Sequence, residues 1–124
     1  MELKTFFFDT YAFYEIIRGN PDYKPFLKGI GVITTKLNLM ELYYGLFLGH
    51  GIEAAEKYFQ KFSNFCAEIT DENIKKAMQF KSKNKEKNLS YIDCIGYIIA
   101  GERRVPFLTG DKQFKALENV EFVQ

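Results

Sequence analysis

The sequence predicts an α/β fold, an α/β/α sandwich in which helices cover both faces of a mostly parallel five-stranded sheet. Short apolar runs, rich in aromatic and β-branched residues, alternate with longer stretches in which apolar residues recur at helical spacing. The resulting order is strand, helix, strand, helix, helix, strand, helix, helix, strand, helix, strand, which is typical of parallel sheets with helical crossovers. Because 124 residues is the size of one domain, we expect residues 1–124 to form a single domain.

The first strand is predicted over residues 3–8, which are apolar apart from Lys4 and Thr5. Asp9 ends it, and a helix begins at Thr10 and stops at a glycine followed by Asn-Pro. Residues 22–28 predict a connecting helix or loop, and residues 30–34 a second strand. Asp9 therefore lies at a strand-to-helix junction, where an aspartate commonly serves as an N-cap.

The middle of the chain predicts a helix that starts at Asn38 as N-cap and is apolar on nearly every side except at Glu41. Residues 49–51 read as a turn around His50, the only histidine, which we expect to be exposed and not catalytic. A helix over residues 52–62, a third strand over 65–69 and a helix capped by Thr70 or Asp71 follow.

The last third begins with a second mostly apolar helix, in which Ser90 is a plausible N-cap and Asp93 its capping-box partner. Asp93 is the one ionisable group on the apolar part of this helix, where an uncompensated charge costs several kcal/mol. Residues 105–109 predict a strand that ends before Asp111. A short helix and a last strand over residues 120–123 complete the chain.

Composition limits what the protein can do. Seventeen basic and sixteen acidic residues give a net charge of +1, which argues against nucleic-acid binding by charge alone. No apolar run approaches the roughly 18 residues that span a bilayer, and the N-terminus lacks a signal-peptide layout. Cys66 and Cys94 are expected to be reduced thiols. We therefore expect a cytoplasmic protein without membrane contact.

Four acids follow predicted strands or begin predicted helices, and the topology places all of them at the same edge of the sheet. In a parallel sheet with right-handed crossovers, every strand-to-helix junction lies at the edge formed by the carboxyl ends of the strands. This topology brings four acids to one rim: Asp9, Glu41, Asp93 and Asp111. Each could be an isolated helix cap, but four neighbouring carboxylates repel one another unless a cation neutralises them. Oxygen ligands without histidine or cysteine favour Mg²⁺ or Mn²⁺ over zinc.

Four segments of the chain resemble the PIN-domain family, and within it the small VapC-type toxins of toxin–antitoxin pairs. They are FFFDTYAFYEII (6–17), LNLMELYYG (37–45), LSYIDCIGYIIAGERRVPFLTGDKQF (89–114) and VEFV (120–123). The resemblance implies a PIN-like nuclease domain and a metal-dependent endoribonuclease. It also implies that the four acids at the predicted rim form the metal-binding and catalytic set, supported by Thr109. Three residues depart from the family pattern: Tyr11 and Cys94, beside the first and third acids, and Gly110, before the fourth.

The leading hypothesis is a Mg²⁺- or Mn²⁺-dependent endoribonuclease that acts as a toxin, with RNA as substrate, an antitoxin protein as partner and a homodimer as the expected assembly. The alternatives are an RNA-processing or decay nuclease without an antitoxin, and a binding module that holds a metal or RNA without cleaving. Lys112, Arg103 and Arg104 are candidates for phosphate contact, although the two arginines could instead lie at the opposite edge of the sheet. The abundance of Phe and Tyr suggests an exposed apolar patch at residues 46–48, which could equally belong to the core.

Overall fold

A computed structural model of the chain describes residues 3–124 and contains four strands and five α-helices within that range. In chain order they are β1 (Thr5–Phe8), α1 (Thr10–Arg18), β2 (Gly31–Ile33), α2 (Lys36–His50), α3 (Ile52–Phe62), α4 (Asp71–Lys83), α5 (Tyr91–Glu102), β3 (Phe107–Thr109) and β4 (Val120–Phe122). Short 3₁₀ helices occupy Pro21–Phe26, Ser63–Phe65 and Lys112–Phe114. The predicted α/β fold class is confirmed.

The sheet has the order β2-β1-β3-β4, and all its strand pairs are parallel. The strand predicted over residues 65–69, third in chain order, is wrong, and the sheet therefore has four strands and not five. This segment forms one isolated parallel bridge between Thr34 and Cys66, in which the Thr34 N–H donates to the Phe65 carbonyl at 3.0 Å. Pairing extends in neither direction because Phe65, just before Cys66, ends a 3₁₀ helix, and Thr35, just after Thr34, is already the N-cap of α2.

The core lies on both faces of the sheet because side chains alternate along β1. Phe6 and Phe8 belong to a buried cluster with residues of α1, α2 and α3, whereas Phe7 belongs to a second cluster with residues of α4 and α5. The Phe7 ring stacks on Phe107 of the neighbouring strand, with ring centroids 5.5 Å apart. This division confirms the predicted sandwich of helices, sheet and helices.

The start of α2 differs from the prediction. Thr35, not Asn38, is the N-cap: the Thr35 hydroxyl accepts the Asn38 N–H at 3.2 Å. Glu41 therefore lies in the second turn of the helix and has no capping role. At the other end, α2 continues through His50 to Gly51, whose φ of 91° suits only a residue without a side chain, so the turn predicted at residues 49–51 is shorter than expected.

The remaining helices begin where the sequence placed them. Thr70 caps α4 and Ser90 caps α5, each in a reciprocal capping box. Gly19 ends α1 in the left-handed conformation, with φ 79°. Within residues 3–124 none of the helices has both the length and the apolar character that crossing a bilayer requires.

Candidate active site

One cleft at the carboxyl edge of the sheet contains all four acids that the sequence singled out. Its volume is about 520 Å³, within the roughly 300–1,000 Å³ typical of ligand pockets. The lining residues are Asp9, Thr10, Tyr11, Tyr14, Glu41, Tyr44, Gly45, Ser90, Asp93 and Asp111. The acids come from the end of β1, the second turn of α2, the first turn of α5 and the segment after β3, so the topology gathers residues that are far apart in sequence.

Three of the four acids also cap helices. The carboxylate of Asp9 accepts the Ala12 N–H at 2.8 Å, that of Asp93 accepts the Ser90 N–H at 3.0 Å, and that of Asp111 accepts the Gln113 N–H at 3.0 Å. The interpretation of these residues as caps is therefore correct. It does not exclude a shared site, because all three capping acids line the same cleft.

The Glu41 carboxylate accepts a hydrogen bond from a side chain of α1, and side chains at the start of α2 support that donor in turn. Thr10, the first residue of α1, donates its hydroxyl hydrogen bond to Glu41 Oε1 at 2.7 Å. Thr10 in turn accepts a hydrogen bond from the Asn38 side chain at 3.3 Å, and the Asn38 Oδ1 accepts from the Thr35 hydroxyl at 2.6 Å. Asn38 and Thr35 are buried. This polar chain fixes the Glu41 carboxylate from α1.

Thr109 connects two of the acids. Its side chain is fully buried at the end of β3; its hydroxyl accepts the Asp111 N–H at 3.0 Å and also hydrogen-bonds the Asp9 carboxylate. The predicted supporting residue thus lies between the first and the fourth acid, where it orients both.

Asp9, Glu41 and Asp93 resist ionisation. Burial raises the pKa of Asp9 from its ordinary 3.8 to about 8; the hydrogen bonds from Thr109 and Ala12 oppose this rise, and the charges of Asp93 and Asp111 add to it. Burial also raises the pKa of Glu41, against the hydrogen bond from Thr10, and that of Asp93, against the hydrogen bonds from Ser90. A positive charge in the cleft would relieve this penalty.

The donor set fits a hard divalent cation. The cleft is lined by four carboxylates and by no histidine or cysteine, which is the ligand chemistry of Mg²⁺ or Mn²⁺. In the described residues 3–124, however, no three acidic, histidine or cysteine side chains converge closely enough to enclose an ion. Each carboxylate instead hydrogen-bonds its own partner.

Gly45, which lines the cleft, and Gly110, next to Asp111, make room for tyrosines of α1. A Cβ on Gly110 would lie 2.2 Å from Tyr11 Cε1 and 2.5 Å from the Val123 carbonyl oxygen. A Cβ on Gly45 would lie 1.5 Å from the Tyr14 hydroxyl oxygen. Tyr11 and Gly110, two of the departures from the family pattern, therefore depend on each other. The Tyr11 ring occupies the space that a side chain at position 110 would need.

The basic residues near the cleft differ from those that the sequence suggested. Arg103 and Arg104 follow the end of α5 and precede β3, so they lie at the opposite edge of the sheet, and their candidacy for phosphate contact is wrong. Lys112 is exposed beside Asp111. Lys81 was missed: it donates to the Leu89 carbonyl and lowers the pKa of Asp93 by its charge. The basic run at the end of α4 was its only sequence signal.

Comparison with known proteins identifies the fold. The profile of the PIN domain family matches residues 6–120. No curated protein sequence matches the chain.

Several solved structures share the architecture over nearly the whole chain. Mycobacterium tuberculosis VapC20, described as a Sarcin-Ricin loop cleaving toxin, has a TM-score of 0.80 at 19% identity, with 96% of this chain and 99% of that chain covered. A toxin–antitoxin complex from Klebsiella pneumoniae has a TM-score of 0.72 at 19% identity, covering 93% and 94% of the two chains. A DNA-bound VapBC from Salmonella typhimurium has a TM-score of 0.74 at 16% identity, covering 98% of each.

Proposed function

Because the chain belongs to the PIN domain family, we propose that it is a Mg²⁺- or Mn²⁺-dependent endoribonuclease that acts as the toxin of a toxin–antitoxin pair. One observation carries the proposal: four carboxylates from four separate segments line one cleft, and the most buried of them, Asp9, is 3% exposed. Burying an acid beside other acids is costly unless the site serves to bind a cation. Structures of similar fold that are described as a cleaving toxin and as toxin–antitoxin complexes support the toxin assignment.

Asp9, Glu41, Asp93 and Asp111 would hold the metal. When bound, a divalent ion supplies charge neutralisation at the scissile phosphate and makes the attacking water more acidic.

The residues of this chain position and tune the acids. Thr10 and Asn38 hold the Glu41 carboxylate in one orientation through the hydrogen-bond chain from Thr35. Thr109 fixes Asp9 and Asp111 relative to each other.

The proposal is tested by RNA cleavage in Mg²⁺, in Mn²⁺ and in EDTA, together with calorimetric Mn²⁺ binding. We expect cleavage in either metal and none in EDTA. Asp93→Asn should lose both metal binding and cleavage, whereas Asp22→Asn, the same change at an exposed position outside the cleft, should lose neither. Undiminished cleavage in chelator would contradict the metal requirement, and metal binding without cleavage of any RNA would favour the binding module.

A protein partner would cover an apolar surface on α2 and the start of α3. Met40, Phe47, Leu48 and Ile52 are 54%, 45%, 65% and 57% exposed. Of the patch predicted at residues 46–48, Leu46 instead belongs to the core, at 2% exposure. We propose that this surface contacts an antitoxin or a second copy of the chain.

Sedimentation of the chain, alone and co-expressed with a small protein encoded beside its gene, tests this assembly. A homodimer or a heterocomplex is the expected result. A monomer at all concentrations, with no complex formed on co-expression, would contradict it.

A further inference from the structure

The acid cleft has an aromatic side that a metal site does not require. Three of its lining residues are tyrosines: Tyr11 and Tyr14 from α1 and Tyr44 from α2. Carboxylates and hydroxyls suffice for a hard cation. The rings must therefore serve the architecture of the cleft or a ligand that enters it.

Tyr11 and Tyr14 have structural roles. Each lies where a glycine leaves space, Tyr11 against Gly110 and Tyr14 against Gly45. The Tyr14 hydroxyl also donates to the Glu41 carbonyl at 3.5 Å. Packing against the protein accounts for both rings.

Tyr44 has no such role. It lies one helical turn from Glu41, lines the cleft and is 66% exposed. Its neighbour Tyr43 packs edge-on against Phe59 at 5.9 Å. Among the ring pairs found in residues 3–124, by contrast, none includes Tyr44. An exposed ring at the mouth of a charged cleft is available to a ligand.

We propose that the Tyr44 ring stacks on an unpaired nucleobase next to the scissile phosphate, which makes Tyr44 a specificity-determining residue of the RNA site. This inference rests on the proposed ribonuclease function and deepens it. A base inside a duplex has both faces covered by its neighbours, so stacking on Tyr44 selects RNA that is single-stranded or looped at the cleavage site.

The charge distribution favours a base over other ligands at this position. The residues that line the cleft include carboxylates but no lysine or arginine, and the chain has a net charge of only +1. Electrostatic attraction therefore supplies little of the affinity for RNA. Stacking on an aromatic ring is uncharged and tolerates any base, and its loss weakens binding roughly 5- to 150-fold per base. Tyr44 lies where such a contact would hold the strand beside the acids.

Fluorescence of 2-aminopurine, which is quenched when the base stacks, measures the contact directly. The probe is a single-stranded RNA of about 12 nucleotides with one 2-aminopurine, bound to the Asp93→Asn protein, in which the expected loss of the metal prevents cleavage. In that background we compare Tyr44→Phe, which keeps the ring, with Tyr44→Leu and Tyr44→Ala, which remove it. Leu27→Ala, at a similarly exposed apolar position outside both the cleft and the proposed partner surface, is the matched control.

We expect Tyr44→Phe and Leu27→Ala to keep the quenching and to bind within about twofold of the parent, whereas Tyr44→Leu and Tyr44→Ala lose the quenching and bind about tenfold more weakly. The same strand annealed to its complement should bind all variants equally and weakly. Because Tyr44 is exposed, none of these changes should lower the melting temperature appreciably.

Three results would overturn the inference: equal RNA binding by all four Tyr44 proteins, no RNA binding by the parent, or full affinity in Tyr44→Leu, which would mean apolar contact without stacking. Unchanged RNA binding combined with loss of a dimer or antitoxin complex in Tyr44→Ala would assign the ring to a protein interface instead.

Cleavage by the otherwise unaltered chain separates this inference from the proposed function. If cleavage is metal-dependent and its KM does not change in Tyr44→Ala, the proposed nuclease function stands and the stacking inference is contradicted. If the quenching depends on the Tyr44 ring but the protein cleaves no RNA, the stacking inference stands and the nuclease function is contradicted.

Discussion

The starts of α5 and α2 place an acid in the cleft in two different ways. Asp93 lies in the first turn of α5 and is held by Ser90, its own N-cap. Glu41 lies in the second turn of α2 and is held by Thr10, which comes from a different helix. The capping acid is oriented by its local sequence, whereas the orientation of Glu41 depends on how α1 packs against α2. Asp93 therefore both caps its own helix and lines the cleft, whereas Glu41 lines the cleft and has no capping role.

The largest effect is expected at Asp9, the most buried of the capping acids. Its pKa is about 8 in the folded metal-free protein and near 3.8 when solvated. The folded state therefore keeps a proton that the unfolded chain releases between these values. The contribution to stability is fully present below about pH 4 and is lost, by several kcal/mol, as the pH rises to about 8. The raised pKa values of Glu41 and Asp93 act in the same direction.

Urea unfolding in EDTA from about pH 4 to about pH 9 measures this loss. Asp9→Asn cannot ionise and its side-chain oxygen can still accept the Ala12 N–H, so it should be more stable than the wild type above about pH 7 and change less with pH. Asp22→Asn should follow the wild type. Wild-type stability that rises over this interval would show that Asp9 is ionised without a metal.

The second prediction compares Asp93→Asn with Glu41→Gln. If all four acids serve one metal site, both changes should lower the cleavage rate by at least about a hundredfold, equivalent to roughly 3 kcal/mol in the barrier. In EDTA both variants should be as stable as the wild type or more so, because burial and neighbouring charges disfavour the ionised acids.

Cleavage assays and melting curves on the same preparations test both statements. An Asp93→Asn protein that is less stable in EDTA yet cleaves at the wild-type rate would reduce Asp93 to a helix cap. A normal rate in Glu41→Gln alone would restrict the site to the three capping acids.

The smallest effects are expected at the residues that hold the two acids. Ser90→Ala removes the N-cap of α5 and should cost about 1 kcal/mol of stability. Thr10→Val removes the hydroxyl that orients Glu41, and we expect a loss of about tenfold in metal affinity with little change in stability. Chemical denaturation and Mn²⁺ titration distinguish them. Equal losses of stability in the two variants would contradict the distinction between Ser90, which supports Asp93 within one helix, and Thr10, which supports Glu41 from a different helix.

Most of the fold could be predicted because its determinants are local. Ser90, Thr70 and Gly19 are strong helix-boundary signals, and each is found in the expected position. The errors arose where tertiary geometry decides. Residues 65–69 have strand-like composition but form one bridge, and Asn38 resembles an N-cap although Thr35, three residues earlier, takes that role.

The acids of the cleft were predictable because parallel topology alone brings strand ends and helix starts to one edge. The sequence did not predict the supporting roles of Thr10, Asn38 and Lys81. Their side chains form hydrogen bonds to other segments of the chain, and the sequence alone does not show how these segments pack. Thr10 directly follows Asp9, and Asn38 precedes Glu41 by one helical turn. In both cases the signal was proximity to an acid.

The fit of Tyr11 against Gly110 also limits how this sequence can change. With Tyr11 in place, any side chain at position 110 would collide with the tyrosine ring and with the Val123 carbonyl oxygen. With a small residue at position 11 the contacts with the ring are gone, but a Cβ at position 110 would still lie 2.5 Å from the Val123 carbonyl oxygen. A side chain at position 110 therefore requires both a smaller residue at position 11 and a shift of the backbone at Val123. Grafting a basic residue onto position 110 by itself would fail for a steric reason that has nothing to do with its charge.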